Sequence, residues 1–213
     1  MHSQINQQKN YSMKAKTLLL ALVASLFIFS GCSKDDDDSF SLADEFQKAI
    51  KFRGTDYAKT VQQLQSEGYV LDAEEGADYY AKVDIATGDA FYYRLTKDVN
   101  TVTVVEFGVS NLINRQSEAT NAENYAELIK LLNKEYHPSG QENFFLFNHV
   151  TYIDADGRTN KIEKFEDFLT QLGVIAGYDS NAIWDYTTGD DRIEVVRDPN
   201  VTNLTYFRIG KFN

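Results

Sequence analysis

The sequence predicts an α+β domain, mainly an antiparallel sheet covered by helices, between residues 41 and 213. Apolar residues recur at helical spacing in four segments, whereas in several others they alternate with polar residues as in half-buried strands. The turn residues of an early segment also recur near the end of the chain. The region contains only two prolines and no linker-like stretch, so one domain of 173 residues is favoured.

Each predicted helix has apolar residues on one stripe, and several begin or end with capping residues. The helices run from Ser41 through LADEFQKAIKF, from Thr55 or Asp56 to Gly68, from Asn121 to Tyr136, and from Lys161 to Leu172. Ser and Asp supply side-chain oxygens for the free amides of a first turn, and Gly suits a helix end.

Each predicted strand is bounded by residues that favour turns. The strands cover Tyr79 to Ile85, Phe91 to Thr96, Thr101 to Val109, Asn143 to Ile153, Ile183 to Tyr186, Arg192 to Arg197, and Asn203 to Phe212. The first three are expected to form an antiparallel meander with one apolar face. The run FFLF in the fourth strand is apolar on both sides and predicts a central position in the sheet.

Repeated turn residues suggest a duplicated unit of helix followed by three strands, with halves at about 41–115 and 119–213. Thr87-Gly88-Asp89 recurs as Thr188-Gly189-Asp190. The alternative is that Gly and Asp recur in any meander because they suit turns. In element order the arrangement resembles beta-lactamase inhibitor proteins, a resemblance that implies a fold and no function.

The N-terminal region has the features of an export signal. Leu18 to Phe29 is a stretch of twelve uncharged residues preceded by Lys14 and Lys16. As a helix it would span only about 18 Å of a roughly 30 Å hydrocarbon core, so it suits a signal peptide better than a transmembrane helix.

The signal ends in Phe29-Ser30-Gly31-Cys32, which resembles the lipobox of bacterial lipoproteins. The resemblance implies a signal peptide at 1–31, cleavage before Cys32, and acyl chains such as palmitate on that residue. Cys32 is the only cysteine in the chain, so it has neither a disulfide partner nor a second thiol ligand. The alternative is an ordinary signal peptide that contains a cysteine.

Residues 32–40 form an acidic tether. Asp35 to Asp38 resemble the acidic export signal of Bacteroidota lipoproteins, which implies an outer-membrane protein that faces the cell exterior. The alternative is a tether that is simply solvated, because four adjacent aspartates repel one another.

Net charge restricts the partners. Loss of Lys9, Lys14 and Lys16 with the signal leaves 18 basic and 32 acidic residues, a net charge of −14. Nucleic-acid binders carry basic surfaces, so a nucleic-acid partner is excluded. Anionic headgroups would also repel the chain, so contact with the membrane is predicted to depend on the lipid on Cys32.

The sequence predicts no metal, cofactor or catalytic residue. In Asp154-Ala155-Asp156-Gly157 the first ligand position of a calcium loop would be Tyr152, so an Asp-Gly turn is favoured. His137 and His149 lack ligands at metal spacing. We therefore predict a protein that is not an enzyme, and the alternative is a hydrolase of envelope or other polysaccharide that uses paired carboxylates.

A binding surface is predicted on the polar side of the first meander. Tyr80 and Tyr92 are expected to share this side with Arg94, and Trp184 and Tyr186 occupy the matching strand of the second half. Tyrosine offers contact area at low entropic cost while its hydroxyl stays hydrated. The alternative is that helices bury these rings. The predicted function is a lipid-anchored binding protein with a protein or glycan partner, or alternatively a structural envelope component.

Overall fold

In the computed structural model, the described residues form one sheet of nine antiparallel strands, and four helices lie before and between these strands in the chain. The structure describes residues 41–72, 78–84, 88–111, 117–136, 145–187, 189–199 and 204–212. These residues confirm the predicted α+β class and the antiparallel sheet. Ser41–Asn213 forms one compact unit.

Polar side chains begin the first two helices. The Ser41 hydroxyl accepts a hydrogen bond from the Asp44 amide, and the Asp56 carboxylate accepts one from the Lys59 amide. The helices are α1 (Leu42–Phe52), α2 (Tyr57–Ser66), α3 (Ser117–Tyr136) and α4 (Phe165–Ile175). The first two begin within two residues of the predicted positions, whereas α3 begins four residues earlier and α4 four residues later than expected.

All neighbouring strands pair antiparallel. The strands are β1 (Val70–Leu71), β2 (Tyr79–Val83), β3 (Asp89–Asp98), β4 (Thr101–Asn111), β5 (Phe145–Ile153), β6 (Thr159–Ile162), β7 (Asp179–Tyr186), β8 (Arg192–Asp198) and β9 (Leu204–Gly210). Their order across the sheet is β1-β2-β3-β4-β9-β8-β7-β5-β6. The two meanders β2-β3-β4 and β7-β8-β9 therefore meet along β4 and β9.

The predicted central position of β5 is wrong. This strand lies next to the edge, between β7 and the short strand β6. Leu146 points away from the buried side and is 44% exposed, so an apolar run on both sides does not identify a central strand here. Lys161 is part of β6 rather than of a helix, because Thr159–Ile162 pairs with the end of β5.

One face of the sheet is apolar and buried, and we call it the inner face. Residues directly opposite each other on neighbouring strands point to the same side. The row that defines the inner face consists of Tyr80, Tyr93, Phe107, Phe207, Val195, Ala182 and Val150. Each of these residues is at most 4% exposed, so this row lies in the core.

The helices contact the inner face. The ring of Phe46 in α1 lies 5.0 Å from that of Phe207, and the ring of Phe168 in α4 lies 5.7 Å from that of Phe147. In α3 the Tyr125 hydroxyl lies 3.2 Å from that of Ser180. Each buried large apolar side chain contributes roughly 1.5–3 kcal/mol to folding. Among the described helices, none is long and apolar enough to cross a membrane.

Candidate functional site on the outer face of the sheet

The structure separates the two tyrosines that were expected to share a polar surface. Tyr80 is paired with Tyr93 on the inner face, whereas Tyr92 is paired with Ala81 and points to the opposite side. Tyr80 is 4% exposed, and its hydroxyl lies 2.9 Å from that of Tyr57 in α2. The prediction that Tyr80 and Tyr92 lie together on one face is therefore wrong.

Trp184 and Tyr186 also belong to the inner face. Trp184 is 2% exposed, and its ring lies 5.4 Å from that of Phe147. Tyr186 is partly exposed, and its ring lies 5.1 Å from that of Phe145. The second half of the chain thus contributes these two aromatic rings to the core side of the sheet rather than to a surface with Tyr92.

Tyr92 and Arg94 lie on the other side, which we call the outer face, together with a residue that the sequence did not single out. The ring of Tyr79 on β2 stacks on that of Tyr92, with ring centroids 5.0 Å apart and planes inclined by 17°. The guanidinium of Arg94 lies 5.5 Å from the centroid of Tyr79. Cation–π and stacking contacts of this kind fix the orientation of rings on a surface.

A glycine makes room for the ring of Tyr92. Gly108 on β4 is opposite Tyr92, and a Cβ atom at this position would lie 2.1 Å from Cε1 of the tyrosine. The ring therefore lies across the backbone of β4, towards Tyr206 on β9, which is opposite Gly108. We call Tyr79, Tyr92 and Tyr206 the tyrosine strip. All three are partly exposed. A glycine within a predicted strand was a sequence signal for such a close approach.

Beside the tyrosine strip, four charged residues of alternating sign lie in register on four neighbouring strands. We call Arg94, Glu106, Arg208 and Glu194 the charge row. Arg94 lies 3.9 Å from Glu106, and Arg208 forms an ion pair with Glu194. Asn181 donates a hydrogen bond of 2.7 Å to Glu194. Opposite charges directly across strands stabilise a sheet, so the row neutralises itself.

Burial and the neighbouring side chains act in opposite directions on the carboxyl of Glu106. Burial raises its pKa, while Arg94, a hydrogen bond from Tyr92 and Arg208 lower it, and the net result is a raised pKa. Burial also raises the pKa of Tyr92 well above its usual range. The tyrosine hydroxyl is therefore a neutral donor at physiological pH, and the outer face combines aromatic rings with balanced charges.

The hydrolase alternative needs two carboxylates beside a substrate. Glu45 and Glu67 come together, and each accepts a hydrogen bond from Lys48, at 2.9 and 2.8 Å. Glu45 also accepts one of 2.5 Å from the hydroxyl of Tyr93 in the core. These contacts tie α1 to the end of α2 and to β3, which is an arrangement typical of a structural ion-pair network.

The Asp154 loop connects β5 and β6. The carboxylate of Asp154 accepts hydrogen bonds from the amides of Asp156 and Arg158 and from the side chain of Asn160. The Arg158 and Asn160 bonds are the main reasons that its pKa is lowered. This geometry is that of a hairpin turn. Within the described part of the chain, no three His, Cys, Asp or Glu side chains are grouped as metal ligands.

Comparison with known proteins yields no relative. No protein-family model matches the chain, and neither a curated protein nor a solved structure matches it. The resemblance to beta-lactamase inhibitor proteins therefore concerns element order alone. Cys32 and the acidic tether lie outside the described residues.

Proposed function

We propose that this chain is a lipid-anchored, non-enzymatic binding protein of the bacterial outer membrane that uses the outer face of its sheet to hold a partner. The observation that carries the proposal is the tyrosine strip beside the charge row. Aromatic rings and arginine are the side chains enriched at binding surfaces, and here they lie partly exposed on rigid strands. A site on strands is held more firmly than one on loops.

The anchor is supported by the signal sequence and by the single cysteine at its end. Each buried methylene contributes about 0.8 kcal/mol to membrane attachment, so two or three acyl chains on Cys32 would hold the protein firmly. The test is metabolic labelling with a radioactive fatty acid. We expect label on the natural protein and none on the Cys32→Ser variant, and label that persists on the variant would disprove lipidation.

Display on the cell exterior is supported by Asp35 to Asp38. We expect added protease to cleave the protein on intact cells. Replacement of the four aspartates by alanine should abolish this cleavage while fatty-acid labelling of Cys32 continues. If cleavage of the variant is unchanged, the aspartates do not direct display.

The proposal also includes two details of the fold, the coverage of the sheet by helices and the duplication of its halves. We infer that the helices cover the inner face, which is supported by the contacts of α1, α3 and α4 with it. We also infer that the halves are duplicated. Phe107 and Phe207 are directly opposite each other and are separated by 100 residues.

Site-specific photo-crosslinking on intact cells tests the binding surface. Thr96 on β3 is exposed on the outer face, and Val174 on α4 is 62% exposed on a helix. A photoreactive amino acid at Thr96 should give an adduct with protein or carbohydrate, whereas the same amino acid at Val174 should not. Equal adducts at both positions, or none at Thr96, would contradict a role for the outer face.

A further inference from the structure

We infer that the outer face binds an uncharged oligosaccharide, with the tyrosine strip as the platform for its sugar rings. The inference rests on the proposed function, because it names the class of partner that the outer face holds.

The tyrosine rings provide an apolar surface that is stepped rather than flat, because the ring of Tyr79 lies over part of the ring of Tyr92. The planes of Tyr79 and Tyr92 are nearly parallel, and the missing side chain of Gly108 lets the ring of Tyr92 lie across β4. A sugar ring has an apolar face of C–H groups that can pack on such an aromatic surface, while its hydroxyls point outward to polar neighbours. An aliphatic side chain at position 108 would raise a ridge in the middle of this surface.

The charge row favours a ligand that is polar and uncharged. Arg94 and Glu106 lie side by side, as do Arg208 and Glu194, so each charge has a partner of opposite sign. A ligand hydroxyl can accept from the exposed guanidinium of Arg94 and donate to Glu106 beside it without separating this pair, whereas Glu194 is only 7% exposed. An anionic or cationic ligand would have to compete with the ion pairs of the charge row, whose four charges sum to zero.

The width of the strip favours an oligosaccharide over a single sugar. Its members lie on β2, β3 and β9, with β4 between the last two. Neighbouring strands are about 4.8 Å apart, so the strip crosses roughly 14 Å of sheet. This distance is longer than one sugar ring, and on β3, β4 and β9 the charge row lies two residues along from Tyr92, Gly108 and Tyr206.

The test uses the full-length protein in detergent on an array of neutral oligosaccharides and of uronate- and sulfate-containing ones. We expect binding to at least one neutral sugar, with Tyr79→Ala weakening it about tenfold because one stacking contact is lost. The matched control is Tyr152→Ala. Tyr152 stacks on Tyr178 with centroids 6.0 Å apart, but it belongs to the opposite side of the sheet.

Gly108→Ala provides a second variant that retains all three tyrosines. Its added Cβ forces the ring of Tyr92 to move, so neutral-sugar binding should fall although no aromatic residue is removed. Circular dichroism and urea denaturation show whether each variant folds. If one of them does not, the sugar binding of the other variant tests the inference. The inference would be overturned if only charged sugars bound. It would also be overturned if a folded Tyr79→Ala or Gly108→Ala variant bound neutral sugars as tightly as the natural protein.

The crosslinking experiment at Thr96 distinguishes the two proposals. If no sugar binds but Thr96 crosslinks a protein on cells, the oligosaccharide inference is overturned and the proposed function stands. If no sugar binds and Thr96 gives no adduct, both are overturned.

Discussion

At the scale of single residues, the least expected feature is a buried arginine. Arg197 on β8 is 1% exposed. Its guanidinium donates to the carbonyl of Ala176 at the end of α4, at 3.2 Å, and to the carbonyl of Leu204, at 3.3 Å. A cation at a helix C-terminus is favourable, and the carbonyls satisfy its donors. Sequence alternation placed Arg197 correctly at the end of a strand but could not show that it is buried.

Replacing Arg197 should therefore destabilise the fold strongly. Arg197→Ala leaves buried carbonyls without a donor, and we expect a loss of about 3 kcal/mol in the free energy of unfolding. Urea denaturation measures this loss. Arg192→Ala is the control, because Arg192 forms a partly exposed ion pair of 3.2 Å with Asp185 and should lose less than about 1 kcal/mol. Equal losses for both variants would contradict the role of the buried guanidinium.

Asp179 should make stability depend on pH. Burial and then the charge of Asp198 raise the pKa of its carboxyl. Because the folded pKa exceeds the unfolded one, the contribution of Asp179 to stability is present below the unfolded pKa and is lost as the pH rises through the folded pKa. Asp179→Asn should therefore raise stability at pH 7, by on the order of 1 kcal/mol or less for a half-exposed group.

This gain should disappear below about pH 3.9, the unfolded pKa of Asp, where the natural side chain is protonated in both states. The gain is measured by comparing the urea midpoints of the natural protein and of Asp179→Asn at pH 7 and at pH 3.5. Asp190→Asn is the opposite control, because a hydrogen bond and the charge of Lys211 lower the pKa of Asp190. It should give no gain at pH 7. A gain for Asp179→Asn that persists at pH 3.5 would contradict the explanation.

At the scale of elements, the two meanders are joined by aromatic contacts at the β4–β9 seam. Phe207 is fully buried, and its ring lies 5.0 Å from that of Phe46 and 5.7 Å from that of Phe107. This one residue therefore connects both halves of the sheet to α1. The sequence predicted β4 and β9 as the last strands of two three-stranded units but did not show that these two strands would be the ones that meet.

Phe207→Ala should remove this connection and leave a cavity. We expect a loss of about 3–5 kcal/mol in the free energy of unfolding, as for other buried phenylalanines. The measurement is urea denaturation followed by tryptophan fluorescence. The exposed Val174 is the control, since Val174→Ala should change the free energy by no more than about 0.5 kcal/mol. A loss below about 1 kcal/mol for Phe207→Ala would show that the seam is not a stabilising junction.

The assignment of faces shows where sequence alternation fails. Alternation within β2 and within β3 is predicted correctly, but the two faces of β2 are exchanged, because Tyr80 was expected on the polar side and lies in the core. A shift of one residue exchanges the faces of a strand. Lys82 is paired with Phe91 on the inner face, while Tyr79 and Ala81 point outward. Tyrosine occurs on both sides of β2, so hydrophobicity alone cannot decide which side is buried.

At the scale of the whole molecule, the sequence predicted the α+β class because this depends on local periodicity. The candidate site could be predicted only in part. Tyr92 and Arg94 were identified, but Tyr206, Arg208 and Glu194 join them through strands distant in the chain. That juxtaposition depends on the order of strands in the sheet, which no local pattern reveals. The lipid anchor, by contrast, rests on a contiguous motif and stays a proposal.

The most direct test of the central claim, that the outer face holds a partner, is hydroxyl-radical footprinting of tyrosines on intact cells and on the purified protein. We expect Tyr79 and Tyr206 to be oxidised less on cells than in the purified protein, because the partner covers the tyrosine strip. Tyr178, which stacks on Tyr152, should be oxidised equally in both. Equal oxidation of Tyr79 and Tyr206 in the two samples, or protection of Tyr178 alone, would contradict the claim.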